Sequence, residues 1–182
     1  RGPVTENPNF KAWFGDSKAT DADGAPLVVY HGTTADVGEF RAGMFTSNPA
    51  LADNYAMGGG GNVIPAYLSI KNPMPWEDAF GKTPDEVKAA GFDGVIQRDD
   101  AGRILRAVVT DPAQVKSAIG NSGRFDPNSA SLTDPVPRAA ATEAAPPKPA
   151  AEAGDPIAKL NEPADAKPKP AADPIMSTVA MR

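Results

Sequence analysis

The single histidine of the chain stands in Val28-Val29-Tyr30-His31-Gly32-Thr33-Thr34, where an apolar run that reads as a strand ends in a small, polar corner. An imidazole at a strand end can donate or accept a hydrogen bond, and the glycine beside it lets a ligand approach bare backbone. Thr33 adds a hydroxyl that serves either a contact or a local cap. A histidine satisfied by its neighbours at an ordinary strand-to-loop transition fits these residues equally well. Further along, Gly43-Met44-Phe45-Thr46-Ser47 leads through a helix to Tyr55, whose ring can stack on a flat heteroaromatic or fill a helix-end core position.

The elements that must position these groups are legible from their punctuation. Asn7-Pro8 is a cap followed by proline, and Phe10, Trp13 and Phe14 then fall on one helical face that reads as core. Leu27 to Tyr30 reads as a buried strand delivering His31, Met44-Phe45 as a short apolar piece, and Asn48-Pro49 as the start of a helix running to about Tyr55. Val63 to Ile70 alternates as a strand that Asn72-Pro73-Met74-Pro75 should stop. Thr83-Pro84-Asp85-Glu86 is a capping box for a helix to Ala90, and Gly94 to Gln97 and Ile104 to Val109 form a hairpin around Asp99-Asp100-Ala101-Gly102. Strands outnumber helices and do not alternate strictly with them, which makes the class α+β.

Composition bounds the rest. The chain has 182 residues and 20 prolines, and from Arg138 onward Ala, Pro and Lys leave almost nothing apolar to bury. The expected division is a folded domain over residues 1–127 and a disordered tail or linker over 128–182. A net charge of −5 argues against an extended nucleic-acid surface. No run approaches the roughly 20 apolar residues of a membrane span, and no signal-peptide pattern opens the chain. With no cysteine and one histidine, thiolate chemistry is excluded and a transition-metal centre is not expected. A chain that begins without Met and ends at Arg182 reads as a piece of something longer.

In order and spacing, the segments YHGTT, FTSNPALADNYA, YLSIKNP, GFDGVI and DPAQVKSAIGNSGRFDP resemble the histidine-tyrosine-glutamate branch of the ADP-ribosyltransferase superfamily. They are most similar to the transferase-like domains of phage and mobile-element polyvalent proteins. The resemblance covers roughly Asn7 to Pro127 and implies a split β-sandwich with NAD, the substrate, in its cleft. It places His31 at the adenosine ribose, the Gly32 backbone at the nicotinamide amide and Tyr55 on the nicotinamide ring. Thr33 then offers hydroxyl contacts, and Met44 replaces the first aromatic of the family's usual pair. The partner implied is a macromolecular acceptor, a protein, in the cytoplasm, including a host cytoplasm after delivery.

The chemistry implied is cleavage of the bond between nicotinamide and ribose, which builds cation character on the sugar. The family supplies a glutamate on the strand that leads into Asp-Pro, followed by three apolar or aromatic positions; in Arg106-Ala107-Val108-Val109-Thr110-Asp111-Pro112 that position is matched by Arg106. A guanidinium about 4 Å from the cationic sugar would raise the barrier by about 4 kcal/mol at an effective dielectric of 20. Gln114, Gln97, Asp99 and Asp100 are the polar side chains that stand near enough in sequence to substitute. A catalytically degenerate NAD-binding or interaction module is the first alternative. An RNA 2'-phosphotransferase is the second, and the acidic balance speaks against it.

Overall fold

The computed structural model describes residues 2–40, 43–56 and 60–134. Each helix starts at its capping residue. Asn7 accepts from the Asn9 amide at 2.8 Å to open α1 (Pro8–Phe14), and Asn48 accepts from the Ala50 amide at 3.0 Å to open α2 (Pro49–Tyr55). Thr83 and Glu86 close a reciprocal capping box on α3 (Pro84–Ala89). All three carry proline in the first turn, where an N–H has no helical partner to lose.

The α+β expectation is met by two sheets and these few short helices. One sheet runs β1 (Val29–Thr33), β3 (Asn62–Leu68), β7 (Val115–Ser117); the other runs β2 (Met44–Phe45), β6 (Ile104–Val109), β5 (Gly94–Arg98), β4 (Pro73–Met74). An antiparallel bridge joins them, with the Tyr30 amide donating to the Thr46 carbonyl at 2.8 Å and the Thr46 amide to the Tyr30 carbonyl at 3.0 Å. Val29, Phe45, Leu68, Ile104, Val109 and Val115 meet in the core between the sheets. Phe10, Trp13 and Phe14 dock α1 on Tyr67 and Phe125, as their spacing predicts. No helix among the described residues is long and apolar enough to cross a membrane.

Three expectations shift. The strand carrying His31 does not end there but continues through Gly32 to Thr33, because Ile64, Val63 and Asn62 are available to pair with it. Pro73 and Met74 do more than stop a strand, since they pair in parallel with Gly94 and Val95. The packed unit also passes Pro127. Leu132 is buried in the inter-sheet core, and its carbonyl accepts from Ser117 while its amide donates to the Gly38 carbonyl. Beneath it Lys116, fully buried, donates to the carbonyls of Ser129 (2.8 Å) and Ser131 (3.0 Å) and to the Asp134 carboxylate (2.8 Å). The expected tail beyond Asp134 lies outside the described residues.

Pro65 sits inside β3, the central strand of its sheet, yet costs no hydrogen bond to β1. It opposes Tyr30, whose amide and carbonyl turn the other way to Thr46. Its own carbonyl faces β7 and accepts from Ala118.

Candidate active site

Residues directly opposed in an antiparallel pair share a face of the sheet, and neighbours along a strand alternate. Tyr30 opposes Thr46, so the same register sets Gly32 opposite Met44, and Met44 opposes Val108. Gly32, Met44, Val108 and Arg106 therefore lie on one face of the joined sheets, with Gln97 opposite Arg106 across β5. Three residues singled out from sequence, separated by up to 74 positions, are brought to a common surface.

His31 points the other way. Its ring lies edge-on to Phe40 at 4.7 Å and tilted against Phe45 at 5.3 Å, on the core side of β1. Nδ1 is 2.9 Å from the Met44 carbonyl, and since a carbonyl only accepts, Nδ1 carries the proton in this contact. That bond takes the carbonyl which a continued β1–β2 ladder would have given to the Gly32 amide. The imidazole thus wedges the sheets apart one residue past their junction. By strand alternation, the Gly32 N–H and C=O are directed to the edge where the split opens.

Gly32 is glycine for a reason the sequence does not announce. A Cβ there would stand 1.7 Å from the Ala52 carbonyl oxygen and 2.9 Å from the Ala56 nitrogen, so helix α2, not a ligand, fills its side-chain position. The helix lies on the same face as Met44 and Arg106. Tyr55, in its last turn, is 37% exposed and so is not the core tyrosine its position also allowed. Thr33 turns back into the chain, its hydroxyl oxygen accepting from the Ala35 amide at 3.1 Å.

Arg106 is half-buried, its guanidinium carbon 5.5 Å from the centre of the Trp76 ring, and among the described residues it has no carboxylate partner. Simple alternation would set it beside both Ile104 and Val108. A bulge at Leu105 breaks that pattern: Gln97 opposes Arg106 while Arg98 opposes Ile104. Ile104 consequently joins the inter-sheet core, and Val108 packs with Met74, Val87 and Val95 beside Met44 and Trp76. Gln97 was one candidate among several in the sequence; here its Oε1 is buried with no hydrogen-bond partner among the described residues. Trp76 gave no signal in sequence, because a tryptophan in a polar turn reads as packing.

The other candidates are committed elsewhere. Asp99 accepts from the Ala101 and Arg103 amides and pairs with Arg103 Nε at 2.6 Å; the Arg103 amide above all holds its carboxyl below the ordinary aspartate value. Both Asp99 and Asp100 stay in the hairpin turn. Gln114 is a clasp, its amide nitrogen donating to the carbonyls of Ser69 and Asp93 and its oxygen accepting from the amides of Thr110 and Asp111. That exhausts an amide side chain, so the suggested catalytic role for Gln114 is set aside. It lines a hollow of about 670 Å³, with Lys71, Lys88 and Phe92, whose walls include none of Gly32, Met44, Tyr55 or Arg106.

Residues 21–83 match the family described as ADP-Ribosyltransferase in polyvalent proteins, which bears out the resemblance over that segment. No curated protein and no solved structure matches the chain.

Proposed function

We propose, from the premise that residues 21–83 are an ADP-ribosyltransferase-type segment of the polyvalent-protein kind, that this domain holds NAD on the face shared by Gly32, Met44 and Arg106 and transfers ADP-ribose slowly. The observation that carries the proposal is the split at His31. It directs a glycine amide and carbonyl outward beside an exposed helix-end tyrosine, a pair suited to a flat ring bearing a carboxamide. In this arrangement Gly32 backbone groups bond the nicotinamide amide and Tyr55 stacks on its ring. Met44 packs beneath, while His31, whose ring lies on the core side of β1, holds the split open through the Met44 carbonyl. The acceptor is a macromolecule, a protein.

Transfer breaks the bond between the nicotinamide nitrogen and the ribose carbon, the electron pair leaving with nicotinamide. A lone pair of the acceptor then bonds to that carbon and the acceptor's proton passes to water. Positive charge on the ribose in between calls for a carboxylate, and Arg106 offers the opposite sign. The same residue favours the second reading, a module that binds NAD without cleaving it. Nicotinamide release and calorimetric NAD binding, measured on the parent and on Arg106→Glu, separate the possibilities. The parent should bind NAD and release nicotinamide slowly, and Arg106→Glu should release it faster by a factor of about 10². NAD binding with no release from either protein establishes the binding module. A parent that does not bind NAD, or that turns it over rapidly whatever stands at position 106, refutes the proposal.

A further inference from the structure

Arg106, Gln97 and Trp76 present an unmatched set of recognition groups. Arg106 is half-buried and permanently charged, has no carboxylate partner among the described residues, and sets its guanidinium carbon 5.5 Å from the centre of the Trp76 ring. Directly opposite across the strands, Gln97 Oε1 is sealed from solvent and accepts nothing among the described residues. A buried acceptor without a donor is an unfavourable arrangement that a ligand can relieve. What is lacking is an anion for Arg106, an N–H or O–H for Gln97, and a planar group for Trp76 once the guanidinium leaves it.

We infer that these three residues form a subsite for a nucleoside monophosphate group: phosphate on Arg106, base over Trp76, and a ribose hydroxyl or base amino group donating to Gln97 Oε1. Arg106 is the part that moves. A long side chain resting on a ring face by cation–π attraction is held weakly, and a phosphate offers it a bidentate, charge-assisted alternative. The need for a donor tells a nucleotide from a phosphorylated tyrosine, whose ring carries none. The inference rests on the reading that this face is the ligand face. It adds that the charge opposing ribose-cation chemistry is suited to a phosphate.

The full chain is titrated with AMP, adenosine, phenyl phosphate and NAD by calorimetry, with tryptophan fluorescence followed in parallel. Trp13 lines the separate hollow with Lys71 and Lys88, so a fluorescence change is assigned to Trp76 only where Trp76→Phe abolishes it. AMP should bind about tenfold or more tighter than adenosine and perturb the fluorescence. Arg106→Gln should abolish that preference, Arg106→Lys should keep part of it, and Gln97→Leu should weaken AMP while sparing phenyl phosphate. Thermal melts verify that each variant is folded. Equal binding of AMP and adenosine by the folded parent, an Arg106→Gln protein that retains the preference, or phenyl phosphate binding as tightly as AMP overturns the inference. NAD binding without a preference for AMP sinks this subsite alone; AMP binding without NAD binding sinks the proposed function alone.

Discussion

Replacing Asp134 by alanine should cost more stability than any surface charge in this domain. The Lys116 and Asp134 side chains are 0% and 2% exposed and 2.8 Å apart. Two backbone carbonyls complete the ammonium's shell, and Asp134 Oδ2 accepts from the Asp126 amide at 2.8 Å. Removing the carboxylate leaves a buried cation with two neutral acceptors and strands the Asp126 amide. Breaking a buried pair from one side costs about 3 to 5 kcal/mol. That is a large part of the roughly 5 to 15 kcal/mol that keeps a domain folded. At about 3 to 5 °C per kcal/mol for a domain of this size, the melting temperature should fall by roughly 10 to 20 °C. Urea unfolding followed by circular dichroism gives the free energy directly, and Lys116→Met should lose a similar amount. The double variant Lys116→Met with Asp134→Ala should lose clearly less than the sum, because no uncompensated charge remains. If Asp134→Ala unfolds within about 1 kcal/mol of the parent, or the two losses simply add, the pair is not a buried ionic clasp and the burial argument fails.

Gly32→Ala should destabilise by more than the roughly 1 to 3 kcal/mol of ordinary overpacking, since its Cβ meets helix backbone that cannot rotate aside; a melting temperature equal to the parent's would mean that α2 slides freely over β1. His31→Ala should weaken NAD binding about threefold to tenfold, because without the ring's bond to the Met44 carbonyl the β1–β2 ladder can close over the Gly32 amide. It should also melt earlier, because the ring packs on Phe40 and Phe45; unchanged calorimetric affinity with a lower melting temperature would assign the ring to structure alone. Glu86 is held below the ordinary glutamate value, first by the Thr83 amide and then by the Thr83 hydroxyl, so its contribution is present above that value and fades as pH falls through the lowered one. Acid titrations of stability should therefore be flatter for Glu86→Gln than for the parent, and superimposable curves would count against the cap.

Much of the fold is legible because local chemistry dictates it. Asn7, Asn48 and the Thr83–Glu86 pair each announce a helix start, and the aromatic spacing of α1 announces its buried face. Strand β7 escapes such reading. A lysine between Val115 and Ser117 looks like a solvated position until Asp134, 18 residues later, folds over it. The site is legible as a set of residues but not as a surface. Which of them share a face depends on the register of three strands and on one extra residue at Leu105, neither of which has a local signature. Gly32 carries the clearest lesson: its identity was visible, but the helix that requires it becomes visible only in three dimensions.

Pro65 has a consequence for how the chain finds this structure. If β3 slipped by one residue against β1 in either direction, Pro65 would come to oppose Val29 or His31, whose backbone groups both face β3. Each misalignment would demand a proline N–H that does not exist, and each would turn every side chain of β3 to the wrong side. The observed alignment is the one in which the missing donor faces the end of β7, where the chain turns away. A residue that touches none of the recognition groups thus acts as a proofreader of assembly, penalising neighbouring pairings while the sheet forms. That penalty holds His31 at the register where its ring meets the Met44 carbonyl.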